Sequence, residues 1–239
     1  MGVGLRLEPL HACRQCRLFP DSCWSVLDER DRSLLDGYRV ESLLCAGQPL
    51  FHERHPCHGL HCIESGLLAL RKSDEHGNSV ILRLAHPGET LGFPAYFGRM
   101  DYTAGAEALR ESRVCFFPTR LVQEILSRNP ALRDEFSRML AQELYDYGEA
   151  RLRLATRTLE WRLQDLLLQL LPGCGSVDES GNQARLELPL ARRDLAAMLG
   201  VRPETVARAV RQLGEQGLAQ FNGREIQIPD LRRLRREVR

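Results

Sequence analysis

Several features that would place this chain in a common class are missing from its sequence. It has no run of about 18 consecutive apolar residues, which excludes a transmembrane helix. The N-terminus, MGVGLRLEPLHAC, has no apolar core of signal-peptide length, so we expect a cytoplasmic protein without membrane partners. No Ser/His/Asp order, Gly-rich phosphate loop or paired-carboxylate motif stands out, so we do not expect an enzyme. Lysine is almost absent, since Lys72 is the only one among 33 basic residues.

The composition of the 239 residues is that of an ordinary soluble globular protein, with 43% apolar and 27% charged side chains. A chain of this length can bury a large core and is long enough for two domains. Eight cysteines in a cytoplasmic chain favour metal binding, redox sensing or simple burial over a disulfide framework.

Residues 190–213 have the pattern of a helix-turn-helix that can enter the major groove of DNA. Gly200 supplies a tight turn between two helical segments, and Pro203 stands where the second helix can begin without its backbone N–H. In the second helix the residues expected to face inward are Val206, Val210 and Leu213. The alternative is a helical hairpin with a solvated charged face.

The outward face of this motif carries side chains that read base edges, because Arg can bond guanine and Glu can accept a hydrogen bond from cytosine. A predicted wing over 217–229 follows, with a type I′ turn at Asn222-Gly223. From Arg185 to the end there are twelve Arg and seven acidic residues, the charge balance of a phosphate-binding module. The residues expected to contact DNA are Arg193, Arg202, Glu204, Thr205, Ala207, Arg208, Arg211 and, on the wing, Arg224.

Short apolar runs separated by Gly-containing turns predict an antiparallel barrel or jelly-roll over residues 25–128, after a cysteine-bearing segment at 1–24. The predicted strands are 49–51, 60–64, 67–71, 80–85 and 114–117. The sequence therefore indicates an α+β protein whose N-terminal roll resembles a sensor domain and whose C-terminal domain, 157–239, is a winged helix-turn-helix. Within 157–239 we expect a helix over 158–171, a loop over 172–183 and a strand over 185–190.

Between these domains, residues 129–156 predict one long helix that begins at Asn129-Pro130. Its apolar residues recur at spacings of three and four, which favours pairing with the same helix of a second copy. The alternative is that this stripe packs on its own barrel. The residues expected at the dimer interface are Leu132, Phe136, Met139, Leu140, Leu144, Tyr147 and Leu154.

A jelly-roll, a long dimerisation helix and a winged helix-turn-helix in this order resemble the CRP/FNR family of bacterial transcription regulators. The cyclic-nucleotide branch is disfavoured, because Phe93-Pro94 follows Gly88–Gly92 where a second acidic residue is expected. Tyr102-Thr103-Ala104 offers no Arg at the position that would grip the phosphate, and a buried phosphate without a cation is costly.

The cysteines resemble those of the FNR-type oxygen sensors. Cys13-x-x-Cys16, six further residues and then Cys23 match the N-terminal motif of that branch, and Cys115 in a predicted strand matches its fourth cysteine. The resemblance implies a [4Fe–4S] cluster on these four thiolates. Zinc at the same thiolates and a buried, unligated Cys115 are the alternatives, and so is a haem-based sensor of nitric oxide on the same fold.

The resemblance also implies a homodimer that binds palindromic, TGA-containing promoter sites and works with RNA polymerase. Glu204 and Arg208 match the family's E-x-x-S-R motif, but Ala207 replaces its Ser, so we expect a relaxed preference at the outer base of each half-site. The remaining cysteines and the nearby histidines are expected to be packed thiols and mostly exposed imidazoles. They are Cys45, Cys57, Cys62 and Cys174, with His52, His55, His58 and His61.

Overall fold

Two four-stranded antiparallel sheets dominate the first half of the chain in the computed structural model, which describes residues 16–76, 79–188 and 190–238. One sheet has the strand order β1-β8-β3-β6 and the other β2-β7-β4-β5. The strands are β1 Val40–Leu44, β2 Pro49–Phe51, β3 Gly59–Ser65, β4 Leu68–Ser73, β5 Ser79–Ala85, β6 Thr90–Leu91, β7 Gly105–Ala108 and β8 Ser112–Pro118. The expected α+β fold with an N-terminal β-roll is confirmed.

Residues on one face of both sheets form the interior of the roll, with Ile63, Leu68, Leu91, Ala106 and Val114 in one buried cluster. Successive residues of a strand point to opposite faces, so the neighbouring positions of β3 and β8 face away from this interior.

The outer face of the β1-β8-β3-β6 sheet is covered by the chain segments before and after the roll. Before it come two 3₁₀ turns, Phe19–Asp21 and Cys23–Val26, and helix α1, Glu29–Tyr38. After it come α3, Thr119–Arg128, and α4, Pro130–Thr156; a short helix α2, Phe93–Gly98, lies between β6 and β7. The buried residues they share are Phe19, Cys23, Trp24, Leu27, Leu35, Leu60, Phe93, Cys115, Phe117, Leu121, Val122, Ile125, Leu126, Leu132 and Phe136.

The break between α3 and α4 is where the sequence predicts it. Pro130 is the first residue of α4, and the Oδ1 of Asn129 accepts a hydrogen bond from the N–H of Leu132 at 2.9 Å. This side chain replaces an intrahelical partner that the first turn lacks.

The apolar stripe of α4 does not have a single role, and the prediction of a dimer interface is wrong for its first two members. Leu132 and Phe136 have no exposed surface because the roll and the N-terminal segment enclose them, so a second copy cannot contact them. Met139 and Leu140 are partly buried against the same core. The later members are exposed: Leu144 by 75%, Tyr147 by 44% and Leu154 by 54%.

The contacts divide the chain within α4, into units Met1–Leu144 and Tyr145–Arg239. This division differs from the predicted boundaries at 128 and 156, since the start of α4 belongs to the core of the first unit.

The second unit is a small α+β domain. Helix α5 is Leu159–Cys174, the helices of the turn motif are α6 Arg192–Leu199 and α7 Pro203–Glu215, and α8 is Leu231–Glu237. Its strands are β9 Gly175–Val177, β10 Ala184–Glu187, β11 Gln220–Asn222 and β12 Glu225–Ile228, in the order β11-β12-β10-β9.

Two predicted boundaries in this unit are corrected. Helix α5 continues through Pro172 to Cys174, where a loop was expected. The strand expected over 185–190 ends at Glu187, the last residue paired with β12.

Candidate functional site

A row of four residues crosses the outer face of the β1-β8-β3-β6 sheet. Cys115 on β8 lies opposite Glu41 on β1 and opposite Cys62 on β3, and Cys62 lies opposite Thr90 on β6. Directly opposed residues of antiparallel strands project to the same face. The row therefore places two thiols side by side beneath the N-terminal segment.

The N-terminal segment is fixed to this row through one hydroxyl group. The Sγ of Cys23 lies 3.2 Å from the Oγ1 of Thr90, and the Nε1 of Trp24 donates a hydrogen bond to the same oxygen at 3.0 Å. The indole of Trp24 packs on Phe117 with ring centroids 4.9 Å apart and on Phe136 at 5.6 Å. These contacts hold Cys23 against the sheet.

Three of the four cysteines predicted as cluster ligands lie together in this core, and Cys13 lies outside the described residues. Cys23 and Cys115 are buried, and Cys16 is partly exposed and packs against the same cluster. Cys16 and Cys115 line one small cavity together with Cys62, which the sequence analysis did not select. The described structure thus gathers four thiols rather than three.

The thiols lie in an apolar environment that opposes their ionisation. Burial raises the pKa of Cys23 to about 12, an effect that the hydrogen bond to Thr90 partly offsets. Burial also raises the pKa of Cys115 to about 12, against the opposing effect of the Arg39 guanidinium. For Cys62 burial raises the pKa well above its ordinary value, and the neighbouring thiols raise it further. A bound metal reverses this preference because it stabilises the thiolates directly.

Carboxylates complete the surroundings of Cys115. One ligand atom each from Glu41, Glu64 and Cys115 lie within 4.8 Å of one another, the only such group of three His, Cys, Asp or Glu ligands among the described residues. The guanidinium of Arg39 contacts Glu41 at 2.5 Å and compensates part of this negative charge.

The separation of the thiol sulfurs helps to decide which metal ion or cluster this site can hold. Tetrahedral zinc with Zn–S bonds of about 2.3 Å needs sulfurs roughly 3.8 Å apart. In the described part of the chain no three thiol sulfurs lie within 4.8 Å of one another. Several cysteine thiols in one apolar core are, by their chemistry, the donor set that iron–sulfur clusters use.

The histidine-rich stretch stands apart from the thiols. His52, His55 and His58 are exposed, as expected. His61 is buried on the inner face of the roll, where its Nε2 and the Tyr102 hydroxyl lie 3.2 Å apart. Burial lowers the pKa of His61 to about 4, so its imidazole is neutral at physiological pH.

In the second unit the turn between α6 and α7 has the predicted geometry. Gly200 has a φ of 64°, a left-handed conformation that glycine adopts without a Cβ clash. The guanidinium of Arg162 on α5 donates a hydrogen bond to the carbonyl oxygen of Leu199 at 2.7 Å, and Pro203 opens α7. These contacts fix how α7 leaves the turn.

One inward position of α7 differs from the prediction. Val206, Ala209 and Leu213 are buried, whereas Val210 is only partly covered. The residues of α6, the turn and α7 that were predicted to contact DNA are all accessible: Arg193, Arg202, Glu204, Arg208 and Arg211 are exposed, and Thr205 and Ala207 are partly exposed.

The wing forms, but its turn is shifted by one residue. Asn222 pairs with Glu225, so Gly223 and Arg224 are the two loop residues, and only Gly223 has a positive φ, of 68°. A type I′ turn at Asn222-Gly223 would need a positive φ at both residues, so that prediction is wrong. Arg224 consequently lies exposed at the tip itself.

Comparisons with known proteins agree with both halves of this architecture. The family model of the cyclic nucleotide-binding domain matches residues 42–129, and that of the Crp-like helix-turn-helix domain matches residues 162–237. A solved structure from Thermus thermophilus, TTHA1359, described as a transcriptional regulator of the CRP/FNR family, superposes with a TM-score of 0.70 at 27% identity. That comparison covers 83% of this chain and 98% of the other. This chain belongs to the CRP/FNR family of transcription regulators.

Two known bacterial proteins are similar to this chain over almost its whole length. The transcriptional activator protein FnrA of Stutzerimonas stutzeri is 27% identical over 229 residues, which cover 95% of this chain and 93% of the relative. The anaerobic regulatory protein of Pasteurella multocida is 26% identical over 220 residues, 92% of this chain and 80% of the relative. As a CRP/FNR protein with this helix-turn-helix, the chain is a DNA-binding transcription regulator. None of its described helices has the length and apolar character needed to cross a membrane.

Proposed function

We propose that this CRP/FNR protein regulates the anaerobic response by sensing oxygen through a [4Fe–4S] cluster. The ligands that the family motif assigns are Cys13, Cys16, Cys23 and Cys115. The observation that carries the proposal is the position of Cys23, which the hydrogen bond at Thr90 holds on the sheet that bears Cys115. The names of the relatives, FnrA and anaerobic regulatory protein, support the same function.

The bound cluster would supply an oxygen-sensitive link between the N-terminal segment and the roll. The chain's own residues couple that link to α4. Trp24, one residue after Cys23, contacts Phe136 in the second turn of this helix, and both side chains are fully buried. Releasing the segment would uncover Phe136 and weaken the packing of α4 on the roll. A coupling of about 1–3 kcal/mol is typical between two such sites.

We propose that the protein acts as a homodimer through the exposed part of α4. Leu144, Tyr147 and Leu154 are large side chains left accessible on this helix. Burying apolar surface of this kind favours pairing with a second copy, and a two-fold dimer presents two α7 helices to a palindromic site.

On each half-site, the exposed Arg208 and Glu204 would read a TGA-like core, with Ala207 limited to apolar contact with a thymine methyl group. Arg224 at the wing tip and the exposed arginines of α8 would contact phosphates. A regulator bound in this way at a promoter would act on RNA polymerase.

The test is to purify the protein without oxygen and to measure iron, acid-labile sulfide, zinc and the visible spectrum. Binding to a TGA-containing palindrome is then followed by fluorescence anisotropy before and after exposure to air. We expect four irons and four sulfides per chain and a loss of affinity in air. Iron-free protein that binds the palindrome equally in both conditions would refute oxygen sensing, and zinc in place of iron would indicate a different sensor.

A further inference from the structure

Cys62 is a cysteine outside the family motif that the fold brings to the same place as the motif cysteines. It lies directly opposite Cys115 in the pairing of β3 with β8, so both side chains project from the same face of the sheet. Opposed side chains of this kind have Cβ atoms about 4.5–5.5 Å apart. A group bound by Cys115 is therefore within reach of Cys62.

Cys62 is also close to the two N-terminal thiols of the site, Cys23 and Cys16. Thr90 is the residue opposite Cys62 on β6, and its hydroxyl lies 3.2 Å from the Sγ of Cys23. Cys16 lines one cavity together with Cys62 and Cys115. Cys62 thus occupies the middle of the site, between Cys115 and the anchored Cys23.

We propose that Cys62 is a fifth thiol of this site, able to take the fourth ligand position of the iron–sulfur cluster, so that Cys13 is dispensable for cluster binding. This inference rests on the proposed function. On binding, the Cys62 thiol releases its proton to solvent and its Sγ forms the bond to iron that the Sγ of Cys13 would otherwise form. No electron is transferred in this exchange. A ligand on a paired strand is already ordered, so little conformational entropy is lost when it binds.

The test compares anaerobically reconstituted wild-type protein with three variants: Cys13→Ser, the double variant Cys13→Ser/Cys62→Ala, and the matched control Cys13→Ser/Cys57→Ala. Cys57 also belongs to the roll, but its thiol donates a hydrogen bond to the carbonyl oxygen of Gly59 and does not pack in the thiol core. Iron, sulfide and the visible spectrum are measured for each, with far-UV circular dichroism to confirm folding.

We expect C13S and the Cys57 control to keep the wild-type iron content, and the Cys62 double variant to hold about tenfold less, since a thiolate ligand is removed. Cluster-free C13S, or a fully loaded Cys62 double variant, would overturn the proposal. If wild-type protein binds the cluster, either of these two results leaves the proposed function intact. Iron-free wild-type protein would instead refute the proposed function.

A second measurement does not depend on how the double variant folds. In C13S, alkylation of Cys62 by N-ethylmaleimide is followed by peptide mass spectrometry with and without the cluster. We expect the loaded protein to protect Cys62, because a thiolate bound to iron is not free to react. Equal alkylation in both states would contradict a ligand role.

Discussion

The hydroxyl of Thr90 accepts a hydrogen bond from the Nε1 of Trp24 at 3.0 Å and lies 3.2 Å from the sulfur of Cys23. One side chain on a two-residue strand thereby holds two consecutive residues of the N-terminal segment. Thr90 is itself buried, so neither interaction competes with water. In this CRP/FNR regulator, the protein's own side chains therefore join the N-terminal segment to the roll.

Replacing Thr90 by Val is expected to lower the free energy of unfolding by about 1–3 kcal/mol, because the buried indole N–H of Trp24 loses its acceptor. Urea unfolding of the full chain, followed by the fluorescence of its two tryptophans, measures this. Thr103→Val is the matched control, since Thr103 is exposed, and it should change stability little. Equal effects of the two substitutions would show that the hydroxyl of Thr90 does not anchor the segment.

Substitutions at Leu132 and Leu144 test separately the two roles of α4, in the core of the first unit and in the proposed dimer interface. Leu132→Ala should cost about 2–5 kcal/mol of folding stability because Leu132 is fully buried. Leu144→Ala should leave stability nearly unchanged and weaken self-association, since 75% of Leu144 is exposed. Urea unfolding and sedimentation velocity distinguish these outcomes, and undiminished association of L144A would argue against the proposed interface.

A substitution on the face of α7 that is proposed to contact bases should reduce specificity for the DNA site as well as affinity. Arg208→Ala should cost about 1–3 kcal/mol per half-site and relax the preference for guanine at the base it contacts. Arg236→Ala removes the same charge from the exposed end of α8 and should weaken binding uniformly across sequences. Anisotropy titrations on sites varied one base at a time make the comparison, and an unchanged base preference in R208A would contradict the assigned contact.

Adding a hydroxyl group at position 207 gives a complementary prediction. Ala207→Ser restores the residue of the family motif, and its hydroxyl can hydrogen-bond a base edge. We expect the variant to discriminate at the outer base of each half-site, where the wild-type protein tolerates substitutions. A binding selection with randomised half-sites measures this, and strict dependence on that base in the wild-type protein would be the opposite result.

His61 makes the first unit sensitive to acid. Its pKa is about 4 in the folded protein and ordinarily 6.5, so between these values the unfolded chain binds the proton more strongly. The contribution to stability is therefore complete at neutral pH and is lost as the pH falls from 6.5 towards 4. Between pH 7 and pH 5 this amounts to about 2 kcal/mol.

The control for this pH effect is His61→Gln, which keeps a polar side chain but does not titrate. Urea unfolding at pH 7 and pH 5 should show a smaller loss of stability for the variant than for the wild type. Parallel losses in both proteins would mean that carboxylates elsewhere, rather than His61, set the acid sensitivity.

Local signals in the sequence were enough to place the main helices. Asn129-Pro130 separates α3 from α4, and Gly200 with Pro203 defines the turn before α7. The same signals failed at Gly223, because the identity of a turn dipeptide does not fix which residues the strand pairing leaves in the loop. Strands β1, β6, β7 and β9 were not predicted, because each is recognised only by its pairing with a neighbouring strand.

The errors at the candidate site come from tertiary contacts that periodicity does not encode. Spacing shows that Leu132 and Phe136 share a face with Leu144, but not that the first unit buries Leu132 and Phe136 and leaves Leu144 exposed. From the sequence, Cys62 is expected only to be a packed thiol, because alternation along a strand divides its His- and Cys-rich stretch between two faces. Alternation does place Cys62 and His61 on opposite faces of β3. Only the pairing of β3 with β8 shows that Cys62 and Cys115 share one face of the sheet.

The pairing of β8 has an evolutionary consequence. A deletion or insertion of one residue within β8 would turn Cys115 towards the interior and bring Phe116 to the outer face, because alternate residues point in opposite directions. Length changes in the loops between strands carry no such penalty. Natural variants that keep this chemistry should therefore conserve the length of β8 while their hairpin loops drift freely.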